Sequence, residues 1–353
     1  MALQAQESQE APQSNFIAGT YYQWAWDATT LAAFKKCPRY YQLKHIEGWE
    51  KGEGIHLRWG NEFHQVMEDY ENAKVKGASH DDAVRYSVRE LLARIADWDP
   101  DPKTKSEALK TKANLVRSAV WYLDYYEEDA AKTVILSNGR PAVEVSFSFE
   151  LDYGPKIAEH EWHWQGERRW KCVTCGEEAD ETIRQPESYG NTCIHLNYLL
   201  CGHLDRIVTF ANDLYVMDRK TTTTTPGSYY FVKFDMDVQM SLYTLAGQII
   251  LGSPIKGVIV DALQVAVNFS RPVRGFTYRT KDQLDEWLED TKRWLALAEQ
   301  CASEAFWPMN DTSCDKFGGC EFAEVCARAP GVRKRWLEAG FRRREPWNPL
   351  KVR

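Results

Sequence analysis

The chain contains no long uncharged apolar run, so it carries no expected membrane span. It does not open on a basic segment followed by an apolar stretch, so no secretory leader is expected, and the cytoplasm is the expected compartment. No G-x-x-x-x-G-K-[ST] occurs in its 353 residues, which excludes a P-loop motor from this segment. It also lacks a surplus of positive charge: 44 Lys and Arg face 51 Asp and Glu, for a net charge of −7. Bulk attraction to a polyanion is therefore weak, although a local basic groove would suffice for one.

What is present suits a globular protein with a sizeable core, at 44% apolar and 27% charged residues. Residues 1–15 are polar and are expected to form a disordered tail. Residues 16–353 are expected to form one domain. Nine cysteines in a protein expected to be cytosolic argue for metal ligation rather than a disulfide framework. Cys201 and Cys301 stand apart as expected buried thiols. Cys172-x-x-Cys175-Gly has knuckle spacing, and Cys193 with His195 can complete a tetrahedral Cys3His zinc site, with His160 or His163 as substitutes for His195. These ligands fall inside a 155–197 insertion too short to build its own core, so zinc would supply its folding energy. Trp162, Trp164, Arg168, Arg169 and Trp170 would then either contact nucleic acid or pack the module.

The stretch from Cys201 to Tyr243 organises the rest. Two apolar strands flank a turn at Ala211–Asn212–Asp213, where Asn and Asp tolerate turn conformations. Asp205 lies in the first strand; Asp218 and Lys220 lie in the second, two apart and so on one face. Asp205 can come alongside them across the hairpin. Two carboxylates and a lysine at one point suit a hard divalent cation, with the lysine holding a phosphate oxygen or orienting a water. The helix expected over 236–251 carries Gln239 and Tyr243 on one face.

Elsewhere, residues 21–49 are expected to form a helix ending near Pro38, and residues 56–76 a helix with His64 pointing inward and Glu68 one turn later. Residues 80–131 hold two amphipathic patterns, read as a helical insertion that either walls a channel or packs as a layer. Residues 142–151 alternate as a strand, with Glu144 either near the site or facing solvent. Residues 256–267 read as a buried strand and 280–306 as a long amphipathic helix. The loop from Thr221 to Tyr230 ends in an aromatic pair beside the presumed site, facing either substrate or solvent. The basic C-terminal runs would touch phosphate or be solvated.

The ordered set of these motifs resembles the PD-(D/E)xK nuclease superfamily in its RecB-like exonuclease branch. Gly202-His203-Leu204-Asp205-Arg206 resembles that branch's G-x-x-D-R strand, and Asp218-Arg219-Lys220-Thr221 its D-x-K-T. Gln239 and Tyr243 resemble the Q-x-x-x-Y helix, and Gly60 to His64 the G-x-x-x-H helix that supplies a histidine ligand. Asp27 to Tyr41 resembles the N-terminal S-x-L-x-x-F-x-x-C-P-x-x-Y box, with Asp27 or Thr29 in place of its serine. The resemblance spares the segments near 80–130 and 155–197.

It implies an α/β restriction-endonuclease-like core, a central mixed sheet flanked by helices, with helical (80–131) and zinc-knuckle-like (155–197) insertions and a cysteine segment at 307–330. It implies a magnesium- or manganese-dependent deoxyribonuclease. His64, Asp205 and Asp218 would be the ligands, Lys220 would assist the attacking water, Gln239 and Tyr243 would support the site, and Glu144 would be an extra carboxylate. An exonuclease on DNA ends or single strands in recombination, repair or phage DNA processing is expected, in a bacterial or phage-infected cell, with a helicase or recombination protein as an allowed partner. A structure-specific or CRISPR-adaptation-like endonuclease, and a non-catalytic nucleic-acid-binding protein, are the alternatives. The resemblance also pairs Cys37 with Cys314, Cys320 and Cys326 around a [4Fe–4S] cluster. Cys320-x5-Cys326 fits that pattern, whereas Cys314 lies six residues before Cys320, so all-thiolate ligation of zinc stays open.

Overall fold

The computed structural model describes residues 14–17, 20–52, 54–154, 162–166, 169–172, 178–180, 197–315, 319–345 and 347–351. A two-residue strand, β1 (Ala25–Trp26), leads into α1 (Ala28–Lys36). Asp27 caps α1: its carboxylate accepts from the Thr30 N–H at 2.8 Å, and the Thr30 hydroxyl returns the favour. That is the physical role of the residue standing in the serine position of the N-terminal box. α1 ends at Lys36, just before Pro38 as expected, with Cys37 extended, but the chain after it turns helical again rather than running extended. Proline there occupies the first turn of a new short helix, Pro38–Tyr41, where its missing N–H costs nothing, and the chain continues through a wide turn to Ile46.

Three helices follow: α2 (Ile55–Val75), α3 (His80–Arg94) and α4 (Lys112–Tyr125). Ser79 and Thr111 cap the second and third. The apolar positions Trp59, Phe63, Val66 and Met67 recur at helical spacing and bury against Leu91, Leu115, Ala119 and Tyr122. The 80–131 segment thus packs as a layer on the body of the protein.

The sheet holds β2 (Lys132–Thr133), β3 (Val143–Glu150), β4 (Leu199–Phe210) and β5 (Asp213–Thr222). After a short helix, α5 (Ser228–Val232), and α6 (Val238–Leu251), come β6 (Gly257–Val265) and β7 (Ser270–Thr277), then α7 (Lys281–Ser303) and α8 (Pro330–Gly340). Strand order is β1-β4-β5-β6-β7, with β2 and β3 on the free edge of β4. β1/β4 and β5/β6 are parallel; the other pairs are antiparallel, so the sheet is mixed. The β4–β5 turn is made at Ala211 and Asn212, both at positive φ, the backbone a tight hairpin needs.

Alternation along β6 divides the core. Val258 and Val260 bury with Leu242, Ala246 and Leu295 of α6 and α7, while Leu263 and Val265 bury with α2 and α4. Every residue of β6 is buried. The sheet is therefore sandwiched between helical layers, and β4–β5 is central rather than an edge hairpin. No helix among the described residues is long and apolar enough to cross a membrane.

Candidate active site

Strand register puts three carboxylates in one row. Val143 faces Arg206 and Val145 faces Leu204, which sets Glu144 opposite Asp205. Arg206 faces Met217, so one step further Asp205 stands opposite Asp218. Opposed residues on antiparallel strands share a face, and all three of these are buried. Glu144 is held at φ +48°, a left-handed conformation costly for a non-glycine residue, which marks the row as a place where the fold tolerates strain. The glycine of the G-x-x-D-R stretch is required by packing: a Cβ on Gly202 would lie 3.1 Å from the Phe147 ring.

Two cations offset the acids. Lys220 Nζ lies 2.9 Å from both Asp218 oxygens and donates to Oδ1. It also donates to Gln239 Oε1 at 2.9 Å, and Gln239 Nε2 donates to the Tyr243 hydroxyl at 2.9 Å. The i, i+4 pair on α6 thus fixes where the lysine points. His64, from α2, places Nδ1 3.4 Å from Asp205 Oδ2 and 3.8 Å from Glu144 Oε1. Its Nε2 lies 3.1 Å from the Arg219 carbonyl oxygen; a carbonyl only accepts, so Nε2 carries the hydrogen. Among the described residues, His64, Glu144 and Asp205 are the group whose ligand atoms converge as metal donors. Asp218 is drawn to Lys220 instead. Glu68 accepts from Gln65 Nε2.

The electrostatics follow from this crowding. Burial opposes charge on His64, but Asp205 and Glu144 outweigh it and lift the ring to about 10. Burial alone would raise Asp205; His64, Lys220 and the Arg219 N–H, which donates at 2.8 Å, pull it well below the usual carboxylate range. Burial lifts Asp218 to about 6, against Lys220 and with the help of Asp205. Such opposed shifts within one row are characteristic of a site built to do chemistry. Glu144, Asp205, His64 and Lys220 open on a cleft of about 900 Å³ lined also by Asp27, Lys44, Arg342 and Trp347, with Asp218 buried behind them. Arg342 and Arg344 of the basic C-terminal run pair with Glu50 there.

The opposite face of the same strands carries a buried charge network that the sequence reading missed. Arg206 pairs with Glu71 at 3.1 Å and Asp129 at 3.2 Å. Arg274 pairs with Asp129 at 2.6 Å and Asp261 at 3.1 Å. Tyr122 donates to Asp261 at 2.6 Å and accepts from Arg219 Nε at 3.4 Å. The one available signal was Asp261, a carboxylate inside the apolar run of β6, since buried charges are retained only when paired.

Cys37 and the C-terminal cysteines lie within electrostatic reach of one another at a second place, but among the described residues no three of their sulfurs converge as ligand atoms. Cys314 lies within electrostatic reach of Cys320 and Cys37, and Cys326 of Cys320 and Cys37. Burial, then neighbouring thiols, push both Cys314 and Cys326 upward, while Arg39 and Arg333 partly offset the rise at Cys326. The Asn310 N–H donates to Cys37 Sγ at 3.3 Å, and Arg39 N–H donates to the Pro308 carbonyl. None of these four thiols is in a disulfide. In the zinc set, Cys175, Cys193 and His195 lie outside the described residues, as does the side chain of Cys172.

A sheet sandwiched by helices, with a carboxylate row and a lysine at its centre, is the kind of site that handles phosphate with a divalent cation. The profile of the PD-(D/E)XK nuclease superfamily matches residues 25–327. The chain belongs to that superfamily. It is similar in structure to a candidate exonuclease from Eubacterium rectale, at 11% identity over 89% of this chain and 94% of that one, with a TM-score of 0.44. It also matches the protein SSO0001 at 10% identity over 76% and 75% of the two chains, with a TM-score of 0.25. No curated protein matches the chain in sequence.

Proposed function

We propose that this protein is a divalent-metal-dependent deoxyribonuclease of the RecB-like branch that removes nucleotides from DNA ends or single strands. The observation that carries the reading is the Glu144–Asp205–Asp218 row with Lys220 tied to its last member. The donor set fits a hard cation: carboxylate oxygens, plus one imidazole whose Nδ1 faces them. Asp218 is buried with Lys220 Nζ, 2.9 Å away, as its ion-pair partner, and burial still lifts its pKa, so a metal ion would further stabilise its charged form. His64, Glu144, Asp205 and Asp218 would hold the ion, which would neutralise charge at the reacting phosphate. Lys220 would steer the attacking water or a phosphate oxygen, with Gln239 and Tyr243 fixing its direction.

Cys37, Cys314, Cys320 and Cys326 would hold an iron–sulfur cluster away from this chemistry. The electrostatic reach among these thiols, drawn from the two ends of the chain, supports that role, and Arg39 and Arg333 would ease deprotonation of Cys326. A helicase or recombination protein would be a partner supplying unwound ends.

Digestion of end-labelled linear DNA and of closed circles, with manganese and with magnesium, tests the reading. Loss of label from linear DNA with circles intact is expected. Rapid nicking of circles would favour the endonuclease, and binding without cleavage in either metal would favour a non-catalytic protein.

A further inference from the structure

The segment between the catalytic strand and α6 exposes apolar side chains on a firmly held support. Tyr229 and Met236 are each 91% exposed and Val232 59% exposed. Flexible coil does not explain this. Phe234 is buried, and its carbonyl accepts from Arg279 Nη2 at 2.9 Å. Phe231 fills the space over Gly275 of β7, where a Cβ would lie 2.2 Å from its ring. The Tyr230 ring packs edge-on against Phe231 and Phe234. The fold thus spends Tyr230, Phe231 and Phe234 on anchoring and leaves positions 229, 232 and 236 outward. The ridge adjoins the site: Tyr230 lies within electrostatic reach of Lys220 and Asp218, and Asp237, directly after Met236, caps the helix bearing Gln239.

We infer that this ridge stacks the unpaired bases of the strand entering the active site. The inference rests on the nuclease reading and narrows its substrate to single-stranded DNA or frayed ends. A duplex hides its base faces and presents phosphate outward, offering little to an apolar ridge. An unpaired strand presents flat faces that tyrosine and a polarisable thioether suit, and Lys233, whose ammonium lies 3.9 Å over the Tyr230 ring, would meet the strand's phosphates from there.

The test is binding of a fluorescein-labelled oligo(dT) and of an abasic strand of equal length, with calcium in place of the active metal. The double variant Tyr229→Ser/Met236→Ser should bind oligo(dT) about 10-fold or more weakly, bind the abasic strand as wild type does, and melt at the wild-type temperature. Tyr229→Trp should retain binding. Equal losses on both strands, no loss on oligo(dT), or a smaller assembly in the variant than in the wild type would overturn the ridge. Wild-type protein that binds oligo(dT) but leaves it uncut with manganese would overturn the nuclease reading and leave the ridge standing.

Discussion

His64 and Arg219 meet through the main chain: the Nε2–H of the ring donates to the Arg219 carbonyl oxygen, 3.1 Å away. The same residue's N–H holds Asp205, and its side chain reaches through the sheet toward Tyr122 and Glu71. One residue of β5 thus orients two members of the carboxylate site while anchored in the charge network behind it. Outer partners of this type fix a ligand's tautomer and direction.

That coupling gives the first prediction. Arg274→Met leaves buried Asp261 without its ion-pair partner and Asp129 with Arg206 alone. Urea unfolding should show a loss of about 3–5 kcal/mol. The variant should also lose cleavage at temperatures where it is still folded. A stability loss under 1 kcal/mol would show the network to be unimportant.

At the site itself, Asp218→Asn keeps the shape of a buried side chain and removes its charge. Cleavage should fall about 100- to 1,000-fold or more with an unchanged circular dichroism spectrum. Lys220→Met should cost as much, because Lys220 is the cation hydrogen-bonded to Asp218. Wild-type rates in either variant would sink the assignment.

Glu144 offers a contrast between stability and function. Glycine adopts φ +48° without penalty. Glu144→Gly should hold or raise the melting temperature, a gain of up to about 1 kcal/mol, while weakening manganese binding by calorimetry. A large drop in melting temperature would mean that the carboxylate, rather than the backbone, is what the fold depends on there.

Lys110 supplies a pH prediction remote from the chemistry. Its ammonium is buried, lies 3.8 Å over the Trp59 ring and has no hydrogen-bond partner among the described residues. Burial lowers its pKa to about 7. Below that pH the lysine is charged in both states and its desolvation cost is fully present, offset in part by the ring face. From pH 7 toward its ordinary value of 10.5, the unfolded chain binds more protons than the folded one, so this group makes stability rise with pH. Lys110→Met should stabilise the protein at pH 6 and flatten that rise. An unchanged pH profile of melting temperature would refute it.

The cysteine cluster predicts a metal signature. Protein purified without oxygen should contain iron and absorb in the visible. Cys37→Ser should lose both and melt earlier, because a cluster joining residue 37 to 314–326 closes a long loop. Zinc in place of iron in the anaerobic wild type would assign a zinc site instead.

The positions of the candidate site residues were legible in the chain because they obey local rules. Residues two apart in a strand share a face, so Asp218 and Lys220 had to emerge together, and residues four apart on a helix had to align Gln239 with Tyr243. Asn212 marked the turn that sets Asp205 beside them. What the tertiary structure decided is the division of labour. Register across a third strand, set by residues sixty positions upstream, put Glu144 rather than Asp218 in the converging group with His64 and Asp205. The partners of Arg206, Arg219 and Arg274 come from α2, α4, β6 and the turn before β2. No spacing rule links such distant elements, since the pairing of buried charges is fixed only when packing removes water from around them. The anchored ridge at 229–236 has the same origin: its sequence, SYYFVKFDM, has aromatics on both sides, and only contact with Gly275 and Arg279 determines which are spent on the fold and which are left to solvent.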